Sequence, residues 1–226
     1  MIKCKSVSMI RVYDIIFSAL AILILSPLFI IIMIILKFTG EGEIFYYQER
    51  VGSGGRCFSL LKFATMLKDS PNLGSGLVTV KGDERILPVG HFLRTTKLNE
   101  LPQLINVARG DMSLIGPRPL VSEHLKIYNS EVRDLVLSVR PGLSGVGSIY
   151  FRSEDKLLAA AENPKSFYEN EIAPIKSDLE VWFVNNFSSK LYFVLIFLTL
   201  KCVLKPDSDC WKGKIFVSLP HKYKIW

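Results

Sequence analysis

The residues best equipped for chemistry lie between Arg94 and Pro119, where Asn99-Glu100-Leu-Pro-Gln103 follows Arg94 and precedes Arg118, itself set in Gly116-Pro-Arg-Pro119. Asn99 is of the type that caps a helix, and Glu100 falls where the helix dipole favours an anion. Pro102 is tolerated there because the first helical amides have no intrahelical acceptor. A helix is therefore expected to begin at Asn99. The free amides of such an end attract anionic oxygens, and the planar forks of Arg94 and Arg118 match phosphate bidentately, so the segment reads as a phosphate-handling site. The plainer reading is a capped helix beside solvated arginines. The two prolines that stiffen the backbone around Arg118 favour the phosphate site. Lys62 and Arg140 are weaker candidates for the same role, with surface salt-bridging as the alternative. Asp111 and Glu123 are reserve carboxylates, and Asp111 is more simply explained as ordering its Gly-Asp turn.

The composition places this site at a membrane. A mean hydropathy of +0.29 and a hydrophobic content of 49% exceed what a soluble fold of 226 residues usually carries. The net charge of +7 suits anionic partners: phospholipid headgroups, nucleotide phosphates or nucleic acid. Nucleic acid is set aside, since no nucleic-acid-binding motif occurs and the aromatics sit within apolar stretches rather than alternating with basic residues. Cys4, Cys57, Cys202 and Cys210 show neither metal spacing nor a compact disulfide framework, which agrees with reduced thiols facing a cytosol. His91, His124 and His221 form no zinc constellation.

Ile15 to Leu36 is apolar apart from Ser18, Ser26 and Pro27, and is long enough to cross a bilayer if straight. Pro27 removes the bond to the Leu23 carbonyl while Ser26 can satisfy the backbone locally, so a break at Ser26-Pro27 is expected. Two arms result, each rising roughly 16 Å, about half the hydrocarbon core. A kinked span is the alternative. Lys3, Lys5 and Arg11 at one end and Lys37 at the other mark both flanks as cytoplasmic, so residues 1–38 are read as a re-entrant anchor in the phospholipid bilayer. No small-residue cleavage site follows, so the segment is retained.

Residues 39–206 are read as the catalytic domain, and the fold class as α+β, mainly helical. Glu43 to Gln48 and Cys57 to Phe63 flank Gly52-Ser-Gly-Gly55 and predict a small β-hairpin. Lys68 to Glu84 predicts a loop over the site. Helices are expected from about Val121 to Val139 and from Pro164 to Val184, separated by a turn at Arg140-Pro-Gly-Leu-Ser-Gly145. Leu191 to Leu200, bracketed by Lys190 and Lys201, is either an amphipathic interfacial helix or a buried core helix. The tail, 207–226, mixes lysines with aromatics and suits headgroup anchoring or a disordered end.

In chain order, Ser26-Pro27, Gln48-Glu-Arg-Val-Gly52, Lys62-Phe63, Asp83 to Arg85, Asn99 to Asn106, Gly110 to Ser113, Gly116 to Pro119 and Arg140-Pro-Gly142 resemble the motifs of the monotopic phosphoglycosyl transferases, the bacterial sugar transferase family. The resemblance covers most of the chain. It implies transfer of a sugar 1-phosphate from a UDP-sugar to undecaprenyl (polyprenyl) phosphate, the initiating step of a surface glycan such as O-antigen, capsule or exopolysaccharide. It also implies Mg2+ as cofactor and a catalytic domain on the cytoplasmic face of the bacterial inner membrane, with downstream glycosyltransferases as further partners.

Three departures bear on that expectation. The family pattern has Asp, the covalent nucleophile, where this chain has Asn99, and an amide is a poor nucleophile. Loss of such a residue can lower turnover by up to roughly a millionfold. Ala64 replaces an arginine, and Leu143-Ser-Gly-Val-Gly-Ser148 replaces the family's Thr-Gly-Trp-Ala-Gln continuation. Glu100 is left as the carboxylate of the site: a magnesium ligand, a base, or itself a nucleophile, in that order. The rival to a working transferase is a membrane scaffold that binds nucleotide sugar and recruits glycosyltransferases.

Overall fold

The structure, a computed structural model, describes residues 4–73, 83–152 and 154–205; the expected tail over 207–226 and the middle of the expected loop over 68–84 lie outside the described residues. Its first element is a 34-residue helix, α1 (Cys4–Lys37), with Pro27 inside it. Helical backbone continues through Ser26-Pro27, the place of the expected bend, so the two arms belong to one element. The Ser26 hydroxyl donates to the Leu23 carbonyl at 2.8 Å, serving the acceptor that a prolyl nitrogen leaves empty. Within α1, Met9–Lys37 contains an 18-residue window of mean hydropathy 3.1 and is long and apolar enough to cross a membrane.

A stripe on α1 nevertheless faces protein. Ile10, Asp14 and Ser18 are buried at one end and Phe29, Ile32 and Leu36 at the other, while Leu20, Leu23, Ile24, Ile31 and Ile34 stay exposed. The spacing is that of one helical face.

The chain then forms an antiparallel hairpin, β1 (Phe45–Val51) and β2 (Cys57–Phe63), with Phe45 opposite Phe63 and Tyr46 opposite Lys62. Phe29 of α1 meets Phe63 edge-on at 5.5 Å, and Phe63 stacks on Phe45. Because strand side chains alternate, anchoring Phe63 against the helix turns Lys62 to the opposite face. Leu93 of α2 (Pro88–Thr95) enters the same cluster, beside Arg94.

The expected helix start is displaced. Leu98–Glu100 is a 3-10 turn entered through Lys97 at φ 60, and α3 (Gln103–Arg109) begins behind Pro102 without a side-chain cap. Asn99 caps nothing. Leu98 and Leu101 pack into the Phe63 cluster, and that burial overrides the capping preference of the Asn-Glu pair.

After α3 come β3 (Ser113–Ile115), α4 (Ser122–Leu125), α5 (Ser130–Leu137) and β4 (Gly142–Ser144). The helix expected across 121–139 is thus two, because the Asn129 side chain accepts from the Val132 amide and starts α5 afresh. The expected turn at 140–145 contains β4, which pairs in parallel with β3. Glycine is required there: a Cβ on Gly142 would lie 2.1 Å from the Gly116 amide nitrogen.

Short helices α6 (Val146–Tyr150), α7 (Glu154–Ala160) and α8 (Pro164–Phe167) lead to a π-helical turn, Tyr168–Ile172, and then α9 (Ala173–Asn185). The wide turn ends two residues before Pro174, which cannot donate to the preceding turn. Last is α10 (Ser189–Leu204), opened by the Ser188 hydroxyl on the Leu191 amide. It buries Tyr192, Leu195, Leu198 and Cys202 and exposes Phe193, Phe197, Leu200 and Leu204, so it is at once a core helix and an apolar surface.

Two polar residues tie α1 to this body. Arg11 donates to the Val107 and Ala108 carbonyls at 2.6 and 2.8 Å, a cation on the last turn of α3. Asp14, 1% exposed, accepts from the Ser113 hydroxyl, the Leu114 amide and the Tyr192 hydroxyl at 3.0, 2.9 and 2.7 Å. Asp14→Ala orphans three buried donors at once. We expect a loss of about 3–5 kcal/mol, or a fall of about 10 °C in the unfolding midpoint in detergent, with Asp14→Asn costing less than half as much. A midpoint within about 2 °C of wild type for Asp14→Ala would contradict the assignment of this contact as a fold-wide tie.

Candidate active site

Between anchored Leu98 and Leu101, Asn99 and Glu100 face different spaces. Asn99 lines a cavity of about 470 Å3 together with Tyr46, Gln48, Arg50, Lys62 and Arg94. Glu100 lines a second, of about 270 Å3, with Lys97, Arg118, Glu154, Lys176 and Glu180. The first is walled by the hairpin; the second is walled on one side by Thr199, Cys202 and Val203 of α10.

Glu100 is the anionic centre. Its Oε1 lies 3.5 Å from Nη2 of Arg118, with the two side chains 20% and 44% exposed. Burial pushes the Glu100 carboxyl up, but the charges of Arg118, Lys62 and Lys97 outweigh it and hold the group below the ordinary carboxylate range. Glu100 in turn raises Arg118 against the opposing effect of burial. Lys62 is brought down to about 8, first by burial and then by the neighbouring arginines 118, 50 and 94, with Glu100 opposing. A lysine in that state is charged near neutral pH and must draw in a proton on binding phosphate only above about pH 8.

The turn that carries Arg118 is fixed by backbone. The Gly116 amide donates to the Ser144 carbonyl and the Gly142 amide to the Pro117 carbonyl, at 2.9 and 2.7 Å. Arg50 reaches across from the hairpin, donating to the Pro119 carbonyl at 3.1 Å and to Gln48 Oε1 at 2.6 Å. Burial, then the charge of Arg118, lowers Arg50 to about 10. On the far side Glu180 Oε1 accepts the Arg118 amide at 3.4 Å.

Of the residues expected from sequence, Lys62, Arg94, Asn99, Glu100 and Arg118 are brought together. Arg140 is not: its Nε donates to the Gly110 carbonyl at 3.1 Å, and its side chain lines a separate cavity of about 690 Å3. Only its backbone meets the arginine turn, because the pairing of β3 with β4 points the side chain elsewhere. Asp111 accepts from Asn106 at 3.1 Å and orders its turn, as its simpler reading held. Ser26 and Pro27 lie in the exposed or half-exposed middle of α1.

Three contributors went unread. Arg50 sits inside a motif quoted for its family likeness, where its charge was the available signal. The Glu154–Lys176 pair, at 2.6 Å, joins helices distant in sequence and left no local signal. Glu180 left one, a lone acid in the run Leu179-Glu-Val-Trp-Phe-Val184. It is 4% exposed, and burial raises its carboxyl to about 7 against the pull of the Arg118 amide and Lys176.

Comparison with known proteins gives the family. The bacterial sugar transferase family model matches residues 5–206. The chain is 34% identical over 207 residues to the exopolysaccharide production protein ExoY of Sinorhizobium fredii, covering 85% of this chain and 84% of that protein. It is 33% identical over 212 residues to the undecaprenyl-phosphate galactose phosphotransferase of Salmonella typhimurium, covering 87% of this chain and 40% of that longer protein. With the UDP-glucose:undecaprenyl-phosphate glucose-1-phosphate transferase of Caulobacter vibrioides it shares 36% identity over 143 residues, 62% of this chain and 52% of the relative. The chain belongs to the bacterial sugar transferase family.

Proposed function

We propose that this transferase moves a sugar 1-phosphate from a UDP-sugar to polyprenyl phosphate in one direct step, with the two substrates held on either side of the Asn99–Glu100 pair. The observation that carries the reading is that these two residues line different cavities joined by one cluster of cations. The hairpin cavity, with Lys62, Arg50 and Arg94, suits the diphosphate of the donor. The cavity beside α10 suits a lipid phosphate, since the exposed Phe197, Leu200 and Leu204 offer an apolar track for its chain.

In the step, an oxygen of the acceptor phosphate attacks the β-phosphorus of the donor. A new phosphorus–oxygen bond forms, the bond from the β-phosphorus to the bridging oxygen breaks, and its electron pair leaves on uridine monophosphate. Arg118 and Lys62 face the charge that develops, and arginines 50 and 94 hold the remaining oxygens. The Asn99 amide makes no covalent intermediate. Its Oδ1 is buried without a hydrogen-bond partner among the described residues and is a hard oxygen on the hairpin-cavity side, while the Glu100 carboxylate offers hard oxygens on the other; either is of the kind magnesium takes when phosphates complete its shell. Magnesium, when bound, offsets diphosphate charge. The lipid diphosphate sugar so formed would be the start of a surface glycan, extended by later glycosyltransferases.

The same reading makes α1 re-entrant, with the site at the cytoplasmic face. Both ends of the helix seat on one body, through Ile10 to Ser18 and through Phe29 to Leu36. The stretch between Ser18 and Phe29 rises only about 16 Å, whereas the hydrocarbon core is about 30 Å thick.

Purified protein in nanodiscs, given magnesium, polyprenyl phosphate and a panel of UDP-sugars, is expected to release uridine monophosphate with at least one donor. No release with any donor would sink the reading and leave a nucleotide-sugar-binding scaffold. Glu100→Gln and Arg118→Ala are each expected to lower kcat by about a hundredfold or more, and Asn99→Ala by about tenfold at most. A collapse of Asn99→Ala matching that of Glu100→Gln would contradict the direct step.

Lys62 gives a test in binding alone. Below about pH 8 it is already charged; above that value a bound diphosphate must draw a proton onto it, so affinity falls as pH rises. Calorimetry of UDP binding near pH 9 in buffers of different ionisation heat is expected to show proton uptake approaching one per site in wild type and none in Lys62→Met. Equal uptake in both proteins would remove Lys62 from the phosphate site.

A further inference from the structure

Glu180 is a carboxyl that the transfer chemistry above does not use. It projects from α9, is 4% exposed, and has one oxygen on the Arg118 amide at 3.4 Å. Its other oxygen, Oε2, is buried with no hydrogen-bond partner among the described residues. A buried oxygen in that state costs stability unless a ligand or a proton gives it a role. The space around it is made by glycine: a Cβ on Gly147 of α6 would lie 2.7 Å from Glu180 Oε1. Glu180 lines the cavity beside α10, where Arg118, Lys176 and Glu100 also stand.

We propose that Glu180 is a binding residue for the acceptor, whose carboxyl group donates a hydrogen bond from Oε2 to a non-attacking oxygen of a lipid phosphomonoester in this cavity. The ligand identity rests on the direct-transfer reading. An ionised carboxylate would repel the phosphate, whereas a carboxylic acid adds a donor beside Arg118 and Lys176. The charged and titratable groups about Glu180 are Arg118 from the turn after β3, Lys176 from its own helix, Tyr128 from between α4 and α5, and Glu154 of α7 through Lys176. Burial is the dominant influence among them and keeps the proton on to about pH 7. A second phosphate arriving in the cavity strengthens that preference.

The test is calorimetric binding of farnesyl phosphate, a short acceptor, to full-length protein in nanodiscs, with UDP binding measured in parallel. Glu180→Gln retains an acceptor for the Arg118 amide and a neutral donor for the phosphate, and is expected to bind farnesyl phosphate within about threefold of the acidic-pH wild-type value across the range. Glu180→Leu, similar in size but without a donor, is expected to weaken it about tenfold or more. Wild type should lose affinity relative to Glu180→Gln as pH rises from about 6 to about 8.5, and UDP affinity should hold in all three proteins. Equal weakening in Glu180→Gln and Glu180→Leu, parallel pH curves for wild type and Glu180→Gln, or equal loss of UDP would each overturn the assignment. Glu180-dependent farnesyl phosphate binding without uridine monophosphate release refutes transfer but not this site. Normal turnover with unaltered acceptor affinity in Glu180→Leu refutes this site alone.

Discussion

A buried carboxyl group on an apolar helix sets the rest of this structure. Asp14 gathers a serine hydroxyl, a strand amide and a tyrosine hydroxyl from β3 and α10, and Arg11, one turn earlier, closes the end of α3. In an otherwise apolar helix such groups are costly unless every lone pair and proton finds a partner, and the partners fix where the helix sits. The Gly110 turn at the end of α3 records the same contact: φ there is 102, and a Cβ would lie 3.2 Å from the Arg11 guanidinium.

The chemistry inherits its geometry from that helix. Its first half holds α3, which follows Glu100, and β3, which leads into the Arg118 turn. Its second half holds Phe63 and Leu93, the immediate neighbours of Lys62 and Arg94. One anchor therefore registers both halves of the site, the carboxylate–arginine pair and the cations of the hairpin cavity. The cavities meet at a single turn, Leu98–Glu100, whose two leucine-packed flanks leave Asn99 and Glu100 no choice but to face apart.

The hairpin, the apolar helix and the gathering of Lys62, Arg94, Glu100 and Arg118 were legible in the sequence because each depends on local pattern: alternating strands around glycines, an unbroken apolar run, and arginine beside rigid proline. What escaped was set by contacts across the chain. Asn99 looked like a cap because residue type records preference, while burial of Leu98 and Leu101 decided the outcome. Arg140 looked like a phosphate ligand because its motif lies in the right order, but strand pairing sends only its backbone toward the site. Ser26, by contrast, answers the carbonyl that Pro27 vacates, as its place beside the proline leads one to expect. Glu180 stood out only as an acid in an apolar run, and nothing near it in sequence tells that its neighbours would be Arg118 and Gly147.

Position 99 carries the departure from the family pattern that matters most for mechanism, and the proposed direct step gives it a chemical meaning: an amide in place of a nucleophile, with one cavity for each substrate. Intact-protein mass measurement after incubation with the UDP-sugar and magnesium, in the absence of polyprenyl phosphate, tests this most directly. An unmodified mass, with uridine monophosphate appearing only once the lipid phosphate is added, is the expected result. A mass increase of one sugar phosphate on the protein, with stoichiometric release of uridine monophosphate before the lipid arrives, would contradict it.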